Sequence, residues 1–203
     1  MTLFPMFVKL RGRKCVVVGA GRIAASKASG LLRRGAQVTV VAPRAGAWVR
    51  ARQRAGKIVW RKREFRSGDV RGALLAVAAT DSAAVNAAVF RACAQGAVLC
   101  NVVDDPEHCD FFYPAVVERG ALQIAVSTGG RSPALARRLR RELEQQFGPE
   151  YGAWVEQVAR ARRQILARGL PAAGRRRLLQ EIASRSALQA FAGPGAARAR
   201  KKS

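Results

Sequence analysis

The stretch Asn101-Val-Val-Asp-Asp-Pro-Glu-His-Cys-Asp-Phe-Phe-Tyr-Pro114 sets four acidic residues, Asp104, Asp105, Glu107 and Asp110, and the only histidine, His108, into an otherwise basic chain. Carboxylates and imidazole are the groups that most often carry protons in reactions near neutral pH. A second group is Gly19-Ala-Gly-Arg-Ile-Ala24, of the form G-x-G-x-x-A. There the first glycine permits a tight turn, the second lets backbone approach a pyrophosphate, and the small Ala24 lets a helix pack on a strand. The amides of Arg22 and Ile23 would point at phosphate oxygens from the positive end of a helix dipole. A third group is Ser127-Thr-Gly-Gly-Arg-Ser-Pro133. Hydroxyls and glycines ahead of a helix start make an anion cradle, here Ser127, Thr128 and Arg131.

These residues need elements to hold them. The β-branched run at 14–18 followed by the glycine turn, a helix closed by Gly35 and a strand over 37–42 ended by Pro43 predicts a βαβ unit with parallel strands. A helix over 48–56, a strand over 58–60 and a fully apolar run at 74–79 continue the alternation. Ser82 is placed to cap a helix ending near Gly96, and the strand over 97–103 leads into the acidic stretch. After Pro114 the pattern changes. Strands at 115–117 and 122–127 suggest a hairpin, and Ser132-Pro133 starts a helix carrying Leu135, Leu139, Leu143 and Phe147 on one face. Residues 150–168 and 174–191 read as basic amphipathic helices, and the low-complexity tail over 193–203 as disordered.

The 203 residues carry a formal net charge of +24. A field of that sign attracts polyanions: nucleic acid, an anionic membrane surface, or a small ligand rich in carboxylates or phosphates. No apolar run reaches the roughly 20 residues of a membrane span, and the amino end lacks the pattern of a secretory signal, so a cytoplasmic location is expected. Cys15, Cys93, Cys100 and Cys109 form no CxxC pair, which indicates neither a zinc site nor disulfides. The expectation for Cys109 is an unreactive loop thiol. The dinucleotide fingerprint calls for an acidic residue after the second strand, but Ala42-Pro43-Arg44 stands there. Arg44 could sit by a 2′-phosphate and select NADP, or backbone around Pro43 could hold the ribose and leave NAD acceptable.

The segments GAGRIAASKASGLL, QVTVVAP, AVAATDSAAVN, CNVVDDPEHCDFFYP and IAVSTGGRSPALARRLRREL, in that order, closely resemble the precorrin-2 dehydrogenases of sirohaem synthesis. The resemblance implies an α/β fold: a Rossmann-type parallel sheet over 1–113, a small α+β dimerisation region over 114–148 and a helical region over 149–192. It implies oxidation of precorrin-2 to sirohydrochlorin with NAD, in a homodimer. Some members also insert ferrous iron as a substrate. With no room for a fused methyltransferase, a stand-alone layout is expected. On this basis Gly19, Gly21, Arg22, Ile23 and Ala24 contact the nucleotide, Pro43 and Arg44 flank the adenosine ribose, and Thr80 borders the cofactor. Asp104 corresponds to the family's key aspartate. Hydride loss leaves a cation that must shed a proton, which a carboxylate at the carboxyl end of a strand can take. Ser127, Thr128 and Arg131 would grip the carboxylates of the tetrapyrrole. Two other readings are a nucleic-acid-binding protein on a Rossmann scaffold, for which the chain lacks a recognised motif, and a chelatase without dehydrogenase activity.

Overall fold

Short apolar runs, most of them separated by helical segments of 8 to 13 residues, leave the chain one good way to bury its strands, a parallel sheet covered on both faces. The computed structural model describes residues 3–199. Strands β1 (Lys14–Val18), β2 (Gln37–Val41), β3 (Val59–Arg61), β4 (Leu75–Ala78) and β5 (Leu99–Val102) pair in parallel in the order β3-β2-β1-β4-β5. Their side chains alternate between two cores. Cys15, Val17, Val38, Val40, Leu75 and Val77 pack under α1 (Arg22–Arg33) and α2 (Ala47–Arg54), against Ala24, Ala28, Leu31 and Val49. Val16, Val18, Ala76, Ala78, Cys100 and Val102 pack against Val89, Ala92 and Cys93 of α3 (Ala83–Gln95) on the opposite face. The chain leaves β1 toward β2 and returns on the other side at β4. This puts a topological switch point, where ligands of such sheets bind, at the carboxyl ends of β1 and β4.

The chain divides into two compact units, Met1–Tyr113 and Pro114–Ser203. In the second, β6 (Ala115–Arg119) and β7 (Leu122–Val126) form an antiparallel hairpin. It is followed by α4 (Pro133–Gln146), α5 (Glu150–Ala167), α6 (Ala172–Ile182) and α7 (Arg185–Ala199). Ser132 caps α4 as expected, accepting from the Leu135 N–H at 3.2 Å. The single helix expected over 174–191 is instead two. Ser184 stops α6 and starts α7, its hydroxyl accepting from the Ala187 N–H at 3.1 Å, because a side-chain oxygen there competes with continuation of the helix. Helix α7 extends to Ala199, into the segment from Gly193 expected as a disordered tail. Residues 200–203 of that segment lie outside the described residues.

Candidate active site

Gly19 turns the chain at the end of β1 with φ +107°, a conformation that L side chains rarely adopt. Its N–H donates to the Val41 carbonyl at 2.9 Å, which joins the turn to the end of β2. Gly21 then opens α1. Its backbone is ordinary (φ −73°), no side chain caps the helix, and the first turn holds no acidic residue. A Cβ built on Gly21 meets no protein atom within 4 Å. The amino end of α1 therefore presents amide donors and positive dipole to open space, the arrangement that receives a pyrophosphate. Ala24 is 1% exposed and packs in the core between α1 and the sheet, as its small side chain requires. Arg22 and Ile23 are exposed at the mouth.

A cleft of about 510 Å³ runs from this turn between α1 and α2, lined by Gly21, Arg22, Ser26, Ser29, Gly46 and Trp48 among others. Gly46, which starts α2, donates to the Ala20 carbonyl at 3.4 Å, so both helix starts meet beside the glycine turn. Pro43 and Arg44 lie exposed just after β2, and the Trp60 indole N–H fixes that end by donating to the Ala42 carbonyl at 2.9 Å. Thr80 follows β4, with its Cγ2 3.3 Å from a Cβ built on Gly19. Its hydroxyl donates to Asn86 Oδ1 at 2.7 Å, and the Asn86 amide returns a hydrogen bond to the Thr80 carbonyl at 3.1 Å. Asn86, in the first turn of α3, is a supporting residue that sequence reasoning missed.

The acidic stretch separates into distinct roles. Asp110 folds the loop back on β5, its N–H donating to the Cys100 carbonyl and its carboxylate accepting from the Cys100 N–H, both at 2.8 Å. Asp105 engages His108, with Oδ2 2.7 Å from Nδ1, while the imidazole stands edge-on to Phe90. Glu107 is exposed. The Asn101 amide donates to the Phe111 carbonyl and to Cys109 Sγ, and Cys109 is buried, which raises its pKa and keeps the thiol protonated. Asp104, like Glu107, takes no part in this internal network, and it stands just past the end of β5. It occupies the left-handed region (φ 62°), its side chain is exposed, and among the described residues no hydrogen bond is made to its carboxylate. Asp104 thus stands at the carboxyl end of β5, two strands from β1 and so roughly 10 Å across the sheet from the glycine turn.

Lys27, on α1, was not singled out by sequence reasoning. Its Nζ lies 3.7 Å from the centre of the Tyr113 ring, and burial lowers its pKa against the opposing influence of Asp104 and Cys109. The only signal in sequence is a lone lysine amid the small residues AASKASG.

In the second unit, Gly129 (φ 60°) and Gly130 (φ 80°) turn the chain between β7 and α4. The Ser127 hydroxyl accepts from the Gly129 N–H at 3.2 Å, and the Thr128 hydroxyl from the Ser132 N–H at 3.0 Å. Both hydroxyls hold the turn together with their lone pairs and keep their protons to donate, beside an exposed Arg131.

Residues 6–115 match a family described as NAD(P)-binding, and residues 119–146 match the family of the sirohaem biosynthesis protein central domain. Sirohaem synthase of Photorhabdus laumondii is 37% identical over 165 residues, covering 81% of this chain and 35% of that protein. Sirohaem synthase 1 of Pectobacterium atrosepticum is 38% identical over 182 residues, covering 90% and 38% respectively. The chain spans about a third of the length of the curated relatives it matches. Among solved structures, a precorrin-2 dehydrogenase called SirC superposes with a TM-score of 0.76 at 25% identity, covering 99% of this chain and all of that one. Among the described residues no helix is long and apolar enough to cross a membrane.

Proposed function

The chain belongs to the NAD(P)-binding family matched over residues 6–115 and carries a sirohaem biosynthesis central segment after it, and from that premise we propose that it oxidises precorrin-2 to sirohydrochlorin with NAD as hydride acceptor. The observation that carries the reading is the exposed carboxylate of Asp104, without a hydrogen-bond partner among the described residues, at the same sheet edge as an uncapped glycine-turn helix start. The residues present fit the cofactor, since the space a Cβ on Gly21 would enter is open and faces amide donors. Gly19, Gly21, Arg22, Ile23 and Ala24 would hold the pyrophosphate, Pro43 and Arg44 would flank the adenosine ribose, and Thr80 would border the cofactor beside the turn. Bound there, the nicotinamide supplies a two-electron hydride acceptor.

Asp104 supplies the other half of the oxidation. Loss of a hydride leaves the macrocycle cationic, and Asp104 takes the proton that restores neutrality, so precorrin-2 and oxidised cofactor give sirohydrochlorin, reduced cofactor and a proton. His108 is committed to Asp105 and has no part in this step. The Ser127–Arg131 turn offers donors of the kind that grip substrate carboxylates. NAD rather than NADP is expected from the family. Titration with both checks this: NADP binding tighter by about tenfold or more, 1.4 kcal/mol, would assign Arg44 to a 2′-phosphate.

The central experiment is anaerobic incubation of the purified protein with precorrin-2 and NAD, followed by absorbance. Asp104→Ala is expected to slow sirohydrochlorin formation by about 10²–10⁴-fold with nucleotide affinity retained, and His108→Ala to cost far less. An inactive His108→Ala beside an active Asp104→Ala would reverse the assignment. Adding ferrous iron afterwards tests chelation: loss of metal insertion in Asp104→Ala as well would show that both reactions draw on that carboxylate.

A further inference from the structure

Lys27 lies on the second turn of α1, three residues after buried Ala24 and one before buried Ala28, at the margin of the face that packs on the sheet. Long cationic side chains at such margins ordinarily extend to water. This one is instead half-buried, with its ammonium 3.7 Å from the Tyr113 ring centre. That ring is fixed in turn, edge-on to Phe111 at 5.5 Å, and Phe111 packs against the core. Among the described residues no carboxylate lies within 4.0 Å of the ammonium, the distance of an ion pair. A cation drawn from water onto an aromatic face with no carboxylate in ion-pair contact costs stability, and beside a carboxylate such as Asp104 its charge is available to an external anion.

We propose that Lys27 is an anion hook of the Asp104 site, binding one carboxylate of the tetrapyrrole and so fixing the ring in register with the proton acceptor. The proposal rests on the functional reading above. Cofactor phosphate is the less suitable occupant. Lys27 is five residues beyond Arg22, about 7.5 Å of helix rise past the amides that meet a pyrophosphate. The carboxylate that opposes the lowering of its pKa is Asp104, on the loop after β5. Precorrin-2 and sirohydrochlorin are ringed by acetate and propionate groups, and a cation held on an aromatic face loses little freedom on binding one of them.

The test compares Lys27→Met and Lys27→Arg with the wild-type chain in four measurements: melting temperature, NADH binding, absorbance titration with sirohydrochlorin, and anaerobic turnover of precorrin-2. Lys27→Met is expected to weaken sirohydrochlorin binding and to raise KM for precorrin-2 by about tenfold or more, since a charge-assisted hydrogen bond is lost. Its kcat should change less than its KM, its NADH affinity should stay as it is, and its melting temperature should hold or rise because a buried charge is gone. Lys27→Arg should recover most of the affinity. Unchanged sirohydrochlorin affinity in Lys27→Met overturns the proposal. So does an equal loss of NADH binding, or a melting temperature several degrees lower with no recovery by Arg, either of which makes Lys27 a structural cation. A wild-type chain that neither binds sirohydrochlorin nor oxidises precorrin-2 removes the functional reading and this proposal with it. An active wild type beside an indifferent Lys27→Met removes this proposal alone.

Discussion

A methyl group on Gly19 would stand 2.2 Å from the Ala79 carbonyl oxygen, whereas one on Gly21 would meet no protein atom within 4 Å. The fold itself needs the first glycine, whereas the described residues leave room for a side chain at the second, whose proposed role is to admit a ligand. Gly19→Ala is therefore expected to destabilise the protein by several kcal/mol, on the order of 3 or more, through collision with backbone at a positive φ. Gly21→Asp should melt with the wild type yet lose nucleotide affinity by about a hundredfold or more, because a side chain and a negative charge would enter the phosphate approach. Calorimetry and NADH fluorescence titration separate the two; unchanged affinity in folded Gly21→Asp would remove the turn from the site. The same resolution applies to the acidic stretch. The family resemblance, together with its place after a buried strand, marked Asp104, but that Asp105 is spent on His108 and Asp110 on the Cys100 backbone became visible only once the loop was folded back on β5.

At the scale of elements, β3 is held to the turn at Ser67–Val70 by Asp69, which is 1% exposed. Its carboxylate accepts from both terminal nitrogens of Arg63 (2.6 and 2.8 Å), from the Arg66 N–H (2.9 Å) and from Arg61. Burial alone would raise the pKa of Asp69, but hydrogen bonds from Arg63, the Arg66 amide and Arg61 outweigh it and bring the pKa down to about 2. Since the folded pKa lies below the unfolded one, the stabilisation is complete above about pH 4 and disappears as pH falls through 2. Asp69→Asn should cost roughly 2–3 kcal/mol at pH 7 and flatten the acid side of the stability profile between pH 4 and 2, as followed by urea melts. A parallel slope in the variant would exclude Asp69 as its source. Nothing in the sequence pattern signals this cluster, because its three arginines and one aspartate meet only through the tertiary path of the chain after β3. The strands and long helices were legible, since alternation, apolar runs and caps at Ser82 and Ser132 are local. The break at Ser184 was missed because a serine within an Arg- and Leu-rich run does not outweigh the surrounding helical periodicity until its hydroxyl is seen capping α7.

For the whole molecule, the charge of +24 predicts that association with the proposed polycarboxylate substrate slows as ionic strength rises. The face carrying Leu135, Leu139, Leu143 and Phe147 stays exposed or half-buried within the chain, Leu135 at 40%. A homodimer burying it is expected, and Leu139→Glu should convert that dimer to monomer in sedimentation at micromolar concentration; a monomeric wild type would count against the interface. The hairpin β6–β7 carries the point further. Among the described residues it has two strands, fewer than an independent sheet needs, and each has an outer edge of backbone donors and acceptors that no other described strand pairs. If a second chain completes it, folding of this unit becomes a bimolecular event. Dilution would then act as a denaturant, the melting temperature would climb with the logarithm of protein concentration, and an excess of free monomer during synthesis would be the state most exposed to edge-to-edge aggregation.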